Sequence, residues 1–349
     1  EGSMMAQISQ EPWSGELKNS PIVEFFMNLE LPKKEHFNQS FLLQANERID
    51  MNALQQGMNA IVTQHDMLRA VINGEKGAEH LYVNSAEILP TIEEIDLTAA
   101  SDYLTAAQNE CEKRQTSIQM DKSLFNVAVL HLPSYDLLLM VCHHIVVDAV
   151  SWRIILEDLG TAYGQAISGN EIKLQAKTNT YHDYVNAVFN YRNSHTLDQE
   201  VNYWRSVQQK MQSLPTSDGK KHERKIAKVE LALDKATTEN LLYKVSTKFN
   251  TEINDLLMTA LGRGYYKLTG NNSVSVQFEG HGREDIGGNL LKDRTVGWFT
   301  SVYPVVLEGI SGDMRKDIRT TKEIMHRVPN KGVGYNILRF IEGENSLDF

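Results

Sequence analysis

Asp136-Leu137-Leu138-Leu139-Met140-Val141-Cys142-His143-His144-Ile145-Val146-Val147-Asp148-Ala149-Val150-Ser151-Trp152 is the stretch that decides how this chain is read. It opens with an apolar run and leads into Ile154-Ile155-Leu156-Glu157-Asp158-Leu159, which has the pattern of an amphipathic helix. That order predicts a buried strand, a polar turn and a helix. A histidine held where a strand meets solvent places a titratable imidazole at the mouth of a cleft. Side chains alternate faces along a strand, so the adjacent histidines point apart and do not chelate one metal. One imidazole is available for chemistry and the other is structural. Ser151 is placed to cap the helix, Trp152 to pack beneath it, and Cys142 reads as a buried reduced thiol.

A second strand repeats this design. Ser273-Val274-Ser275-Val276-Gln277-Phe278 alternates as a half-buried strand and delivers Glu279 at its end. Glu279 heads the block Glu279-Gly280-His281-Gly282-Arg283-Glu284-Asp285, in which both glycines read as positions whose backbone angles a side chain would forbid. Arg294-Thr295-Val296-Gly297-Trp298-Phe299-Thr300-Ser301-Val302-Tyr303-Pro304 follows, its aromatics read as core. Pro329-Asn330-Lys331-Gly332-Val333-Gly334-Tyr335 lacks phosphate-loop spacing, so its glycines read as a turn.

Elsewhere, Met51, Leu54, Met58, Ile61 and Val62 form one helical face, and Ile253, Leu256, Leu257, Ala260 and Leu261 predict a helix over 252–263. Residues 68–72 and 125–130 read as strands. Tyr181, Tyr184, Val188, Tyr203 and Trp204 anchor one long helical stretch. Ser168-Gly169-Asn170 marks a loop, and the lobe boundary is placed there, giving lobes 1–170 and 171–349.

With 349 residues, two lobes are the natural expectation. The 35 Lys and Arg against 45 Asp and Glu leave a formal charge of −10, which argues against nucleic acid or an anionic membrane as partner. The run Lys220-Lys221-His222-Glu223-Arg224-Lys225 reads as a solvated loop. Only two cysteines, Cys111 and Cys142, imply a reducing compartment without a disulfide framework. No signal peptide or membrane-length apolar run is visible, so a cytoplasmic protein is expected. Glu1-Gly2-Ser3 reads as a cloning scar.

The pattern His-His, three residues, Asp, two residues, Ser-Trp resembles the signature of the condensation-type domains of nonribosomal peptide synthetases, relatives of chloramphenicol acetyltransferase. That block alone does not separate condensation from epimerization domains. The 279–285 and 294–304 blocks resemble hallmark motifs of the epimerization subtype, and 329–335 resembles a third. The resemblance implies an α/β (α+β sandwich) fold of two similar lobes in a V with a central channel. It implies an isomerase that equilibrates L and D configurations at the Cα of an aminoacyl or peptidyl thioester. The thioester hangs from the phosphopantetheine arm of an upstream peptidyl carrier domain, with a condensation domain downstream. No cofactor or metal of the domain's own is expected, and the chain is expected to be monomeric.

Removing a Cα proton beside a thioester gives a planar enolate, and reprotonation on the opposite face inverts the centre. This calls for proton-transfer groups on both faces, or one mobile group, and for stabilisation of the enolate oxygen. His144 and Glu279 are the expected pair, from different lobes. An imidazole with an ordinary pKa of about 6.5 exchanges protons near neutrality, whereas a carboxylate at about 4.3 is a weak base unless burial raises it. His143 takes the structural role. The resemblance gives Asp148 a structural role, with Arg69 or Arg283 as candidate ion-pair partner. Arg283 orients Glu279 or carries enolate charge, and His281 is a supporting hydrogen-bonder.

Three positions depart from the family pattern. Ala149 stands where glycine is usual, the 21–26 segment only approximates the opening motif, and the closing Phe-Asn-Tyr-Leu-Gly type motif is absent. The chain is short for the family, which implies a C-terminal part beyond Phe349 and a domain excised from a larger synthetase. The competing readings are a condensation domain using His144 to steer an attacking amine, and a degenerate module that docks carrier protein without turnover.

Overall fold

The computed structural model describes residues 8–75, 77–214, 228–342 and Leu347; the basic run at 220–225 and the residues at 1–3 lie outside the described residues. The chain divides into two compact units, Glu1–Asn193 with Asp285–Thr300, and Ser194–Glu284 with Ser301–Phe349.

The first unit holds seven strands among the described residues: β1 (Gly15–Leu17), β2 (Asn38–Gln44), β3 (Ala70–Asn73), β4 (His80–Val83), β5 (Ile92–Asp96), β6 (Phe125–His131) and β7 (Asp136–His143). They form a sheet of order β1-β4-β3 and another of order β2-β7-β6-β5. β7 is antiparallel to both neighbours, and every residue in it except Leu137 is buried. A strand paired on both edges and covered on both faces needs the near-continuous apolar run seen in its sequence. Its helices are α1 (Pro21–Asn28), α2 (Met51–Gln64), α3 (Tyr103–Gln115), α4 (Ala149–Ile167) and α5 (Tyr181–Arg192). Asp50 caps α2 by accepting from the Ala53 amide, and Thr180 with Asp183 forms a capping box on α5. The apolar face of α2 buries Leu54, Met58, Ile61 and Val62, and α4 packs beside it, with Ala162 next to Gly57.

His131, at the end of β6, sits between two carboxylates. Its Nδ1 is 2.9 Å from Asp136 Oδ1 and its Nε2 2.9 Å from Glu94 Oε1. Both nitrogens can donate only in the imidazolium. Burial opposes that charge, but the two carboxylates outweigh it and hold the pKa above its ordinary value of 6.5. A raised folded-state pKa contributes stability that is complete below about 6.5 and fades as pH rises through the folded value. The urea midpoint is therefore expected to fall more between about pH 6 and pH 8 in the wild type than in His131→Gln. Equal falls would show that His131 carries no such coupling.

Three features differ from the sequence reading. Asp66–Arg69 is a 3₁₀ turn, and β3 begins only at Ala70. The cause is the inward-turned Arg69 guanidinium, which donates to the carbonyls of Val62, Thr63, Asn84 and Trp13 and to Asp66. The long helical stretch is broken at Asn193-Ser194, where Ser194 caps a new helix. The boundary between units falls at that break rather than at 170. Residues 171–193 belong to the first unit because α5 packs there: the Tyr181 hydroxyl is 3.0 Å from Ser20 Oγ, and its ring lies against Phe299. The 285–300 excursion, assigned from the sequence to the second lobe, lies in the first unit too.

The second unit contains α6 (His195–Lys210), α7 (Lys235–Glu239), α8 (Ser246–Phe249), α9 (Ile253–Thr269), the antiparallel pair β8 (Val274–Gly280) and β9 (Ser301–Leu307), α10 (Met314–His326) and α11 (Val333–Asn336). α9 runs past the predicted 252–263 until Gly270 ends it at φ 75°. β9 is buried throughout. Trp204, Tyr303 and Tyr335 form the aromatic centre of this unit. Among the described residues, no helix is long and apolar enough to cross a membrane, and no cluster of three or more His, Cys, Asp or Glu could hold a metal ion.

Candidate active site

β7 ends at His143, and His144–Val146 forms a 3₁₀ turn, so the two imidazoles diverge where strand geometry gives way to a turn. His143 is fully buried. Its Nε2 donates to Lys34 O at 2.9 Å, and its Nδ1 accepts from the Ile145 amide at 3.2 Å. Those partners fix one neutral tautomer. Loss of water outweighs the Lys34 carbonyl and lowers the pKa of this group to about 4.

His144 is half-buried. Its ring stacks on Phe37 at a centroid distance of 5.3 Å and lies 4.7 Å from the Trp298 ring. Nδ1 is 2.8 Å from Val147 O. A carbonyl only accepts, so Nδ1 carries the proton and Nε2 presents its lone pair. This imidazole is oriented as a base.

Asp148 is the N-cap of α4, the role the sequence pattern suggests for Ser151. Its Oδ1 accepts from the Ser151 amide at 2.7 Å and lies 2.7 Å from Ser151 Oγ. Ser151 is the third helical residue, so its amide is one of the free donors that a cap satisfies. The five N–H groups of Arg69 go to the partners named above, and Asp148 is not among them. Asp148→Ala is expected to cost about 1–2 kcal/mol of stability, and Asp148→Asn much less, because an amide oxygen still caps. A denaturant titration checks this; an equal loss in both variants would mean that charge, not capping, is what matters.

The 294–299 segment is stitched to this turn inside the first unit. Ser151 Oγ accepts from Gly297 N at 3.0 Å and lies 2.9 Å from Gly297 O. The Phe299 amide points at Asp148 Oδ2 at 3.4 Å, and Tyr181 donates to Trp298 O at 2.6 Å. Arg294 donates to Asp158 at 2.5 Å and to Glu157 at 3.1 Å, and Asp158 meets the buried His65 at 2.7 Å. A Cβ on Gly297 would collide with the Tyr181 ring, so only glycine permits this approach. Trp298 and Phe299 are buried, and Trp298 is also one wall of the His144 site. Trp152 is buried and donates from Nε1 to Gln39 Oε1 at 2.8 Å.

In the second unit, Glu279 is the penultimate residue of β8, opposite Val302 of β9, and is exposed. It lines a pocket of about 350 Å³ with Glu252, Asp255, Glu284, Tyr303 and Lys331. Gly280 is required for proximity rather than for its angles, because a Cβ there would lie 2.6 Å from Ser301 Oγ and 3.2 Å from Lys331 O. Gly282 does need its angles, at φ 68°. His281 Nδ1 accepts from the Arg283 amide at 3.0 Å, and Nε2 is 3.1 Å from Glu284 Oε1. It therefore shapes the turn beyond Glu279. Arg283 is half-buried. The 329–335 block opens with the expected turn, Pro329–Gly332 with Gly332 at φ 83°, and is also close-packed: a Cβ on Gly332 would enter the Tyr303 ring, and one on Gly334 would enter the Glu200 carboxylate.

Sequence pattern does not reveal Phe37, Arg294, Asp158 and Tyr181 as builders of the His144 site. Phe37 is findable in principle, since it abuts β2, which pairs in register with β7 from Asn38 opposite His143.

The family described as Condensation domain matches residues 23–346. A plipastatin synthase polypeptide of Bacillus subtilis (strain 168) is 37% identical over 96% of this chain, and Gramicidin S synthase 1 of Brevibacillus brevis 35% over 95%. The chain spans 14% and 31% of those two proteins. Among solved structures, the epimerization domain from the third module of tyrocidine synthetase B is 35% identical with a TM-score of 0.90, over 95% of this chain and 77% of that one. The first condensation domain of the calcium-dependent antibiotic synthetase shares the fold at 18% identity and a TM-score of 0.72, over 97% and 78%.

Proposed function

The chain belongs to the condensation-domain family of nonribosomal peptide synthetases, and on that premise we propose that it is an epimerization domain. Its substrate is an aminoacyl or peptidyl thioester carried on the phosphopantetheine arm of an upstream carrier domain, and its product passes to a downstream condensation domain. The observation that carries this reading is the Glu279-Gly280-His281-Gly282-Arg283-Glu284 block, built as a strand end with an exposed carboxylate beside a pocket. Amide formation has no use for such a group. The 35% identity to an epimerization domain supports the same choice.

The chemistry needs a base for the Cα proton and an acid for the opposite face of the enolate. His144 presents Nε2 as a lone pair, and after taking a proton its imidazolium is stacked on the Phe37 ring and beside that of Trp298, contacts that favour a cation. Glu279 is the second proton-transfer group, with Arg283 and His281 shaping the turn that follows it. No cofactor of the domain's own enters this scheme. The arm's thioester supplies the acidity of the Cα–H bond.

A carrier loaded with a single L-aminoacyl thioester is expected to yield a mixed L and D pool on incubation with this chain, read by chiral chromatography after hydrolysis. A pool that stays L and forms dipeptide when an aminoacyl acceptor is added would mean a condensation domain instead. A pool unchanged in both arms would leave a docking module without turnover.

A further inference from the structure

The second unit carries a cationic concavity that nothing above uses. It has a volume of about 450 Å³ and is lined by Lys248 and Phe249 of α8 and by Arg315, Ile318, Arg319 and Lys322 of α10. On α10 these residues recur at three and four positions, so they share one helix face. Ile318 is buried, Phe249 and Lys322 are half-buried, and the other three cations are exposed. Among the described residues, none of the four cations has an ion-pair or side-chain hydrogen-bond partner.

Several other cations of this unit are paired. Lys210, Lys235, Arg263, Arg327 and Lys331 all meet carboxylates, at Glu308, Glu239, Asp317, Glu323 and Glu252. The chain as a whole carries an excess of ten negative charges, so acidic partners are abundant. On α10 itself, Asp317 turns inward to Arg263 and Glu323 pairs with Arg327, which leaves the Arg315-Arg319-Lys322 face uniformly positive. Like charges at this spacing repel. Such an arrangement is stabilised by an anion that all four can reach, and two guanidinium forks match the oxygens of a phosphate.

We propose that this concavity is a binding site for a phosphate ester. Arg315 and Arg319 hold the phosphate oxygens, Lys248 and Lys322 add charge from the sides, and Phe249 with Ile318 contacts the apolar part of the ester. Two sources share this chemistry: a free phosphate ester, or the phosphodiester that joins a pantetheine arm to its carrier. The second source rests on the proposed function; the site itself does not.

Calorimetric titration of the full chain with inorganic phosphate and with free 4′-phosphopantetheine tests the site. Both are expected to bind the wild type, with the ester tighter. Arg315→Ala and Arg319→Ala should each weaken binding about tenfold, the size of one lost charge-assisted hydrogen bond. Binding that is absent, or indifferent to both substitutions, would overturn the proposal. Titration with carrier domain bearing or lacking the arm separates the sources. Tighter binding of the armed carrier that disappears in Arg319→Ala identifies the tethered phosphodiester, and equal binding of both carriers, with free ester still bound, identifies a free ligand. Racemisation by the wild type is measured apart from these titrations, so failure of the phosphate site and failure of the epimerase reading give different results.

Discussion

His144→Ala is expected to slow exchange of the Cα proton of a loaded carrier by about 10²–10⁴-fold, the contribution typical of one positioned acid–base group. The expectation rests on a ring held against Phe37 and Trp298, with Nδ1 committed to Val147 O and Nε2 left as the basic nitrogen. Deuterium washout from L- and D-loaded carrier, followed by mass spectrometry, measures it. The ring is only half-buried and has one hydrogen-bond partner, so the alanine variant should keep its fold, which circular dichroism checks. Glu279→Ala is read in the same assay. Loss of washout from one enantiomer in each variant establishes two bases, and loss from both in His144→Ala alone establishes one. Wild-type exchange in His144→Ala would end the assignment. His143→Ala makes the contrast: it strands the Ile145 amide in the interior and leaves Lys34 O with only the Phe37 amide as donor, so its main cost should be about 1–3 kcal/mol of stability.

Trp204→Ala should destabilise the second unit by about 3–5 kcal/mol, the range for deleting a large buried aromatic side chain. Trp204 is fully buried, its ring lies 5.0 Å from that of Tyr335 and 6.2 Å from that of Tyr303, and its Nε1 donates to Glu200 at 3.1 Å. Glu200 is itself buried and also accepts from Asn330 at 3.0 Å. The substitution therefore opens a cavity and removes a donor from a buried carboxylate at once. Trp204→Phe keeps most of the volume and should cost clearly less. Denaturant unfolding followed by fluorescence reports both; a loss below about 1 kcal/mol in the alanine variant would show that this cluster does not hold the unit together.

These two expectations differ in how far they are legible in the sequence. The histidine turn announces itself because a strand buried on both faces must be apolar almost throughout, and a polar pair at its end breaks that run visibly. The aromatic and glycine positions of 329–335 give no such signal. Gly332 is a turn residue, at φ 83°, but the Tyr303 ring that fills the space of its missing Cβ, and the Glu200 carboxylate that does so at Gly334, are seen only in the folded chain. The cap of α4 escapes sequence pattern for a related reason. Asp148 and Ser151 are both good caps by composition, and backbone geometry decides between them, with Asp148 extended at φ −127° and ψ 179°.

Local pattern alone determined the strand–turn–helix that carries His143, His144 and Asp148, the divergence of the two imidazoles, and the strand that carries Glu279 near its end. Each depends on periodicity over a few residues, which adjacent chain dictates. Tertiary structure decided what surrounds His144. Ser151 meets Gly297 across 146 positions of chain, Arg294 meets Asp158 across 136, and Tyr181 meets Trp298 across 117. No local rule encodes such pairings, because they exist only once burial has brought distant segments into contact and a missing Cβ at Gly297 has let them touch.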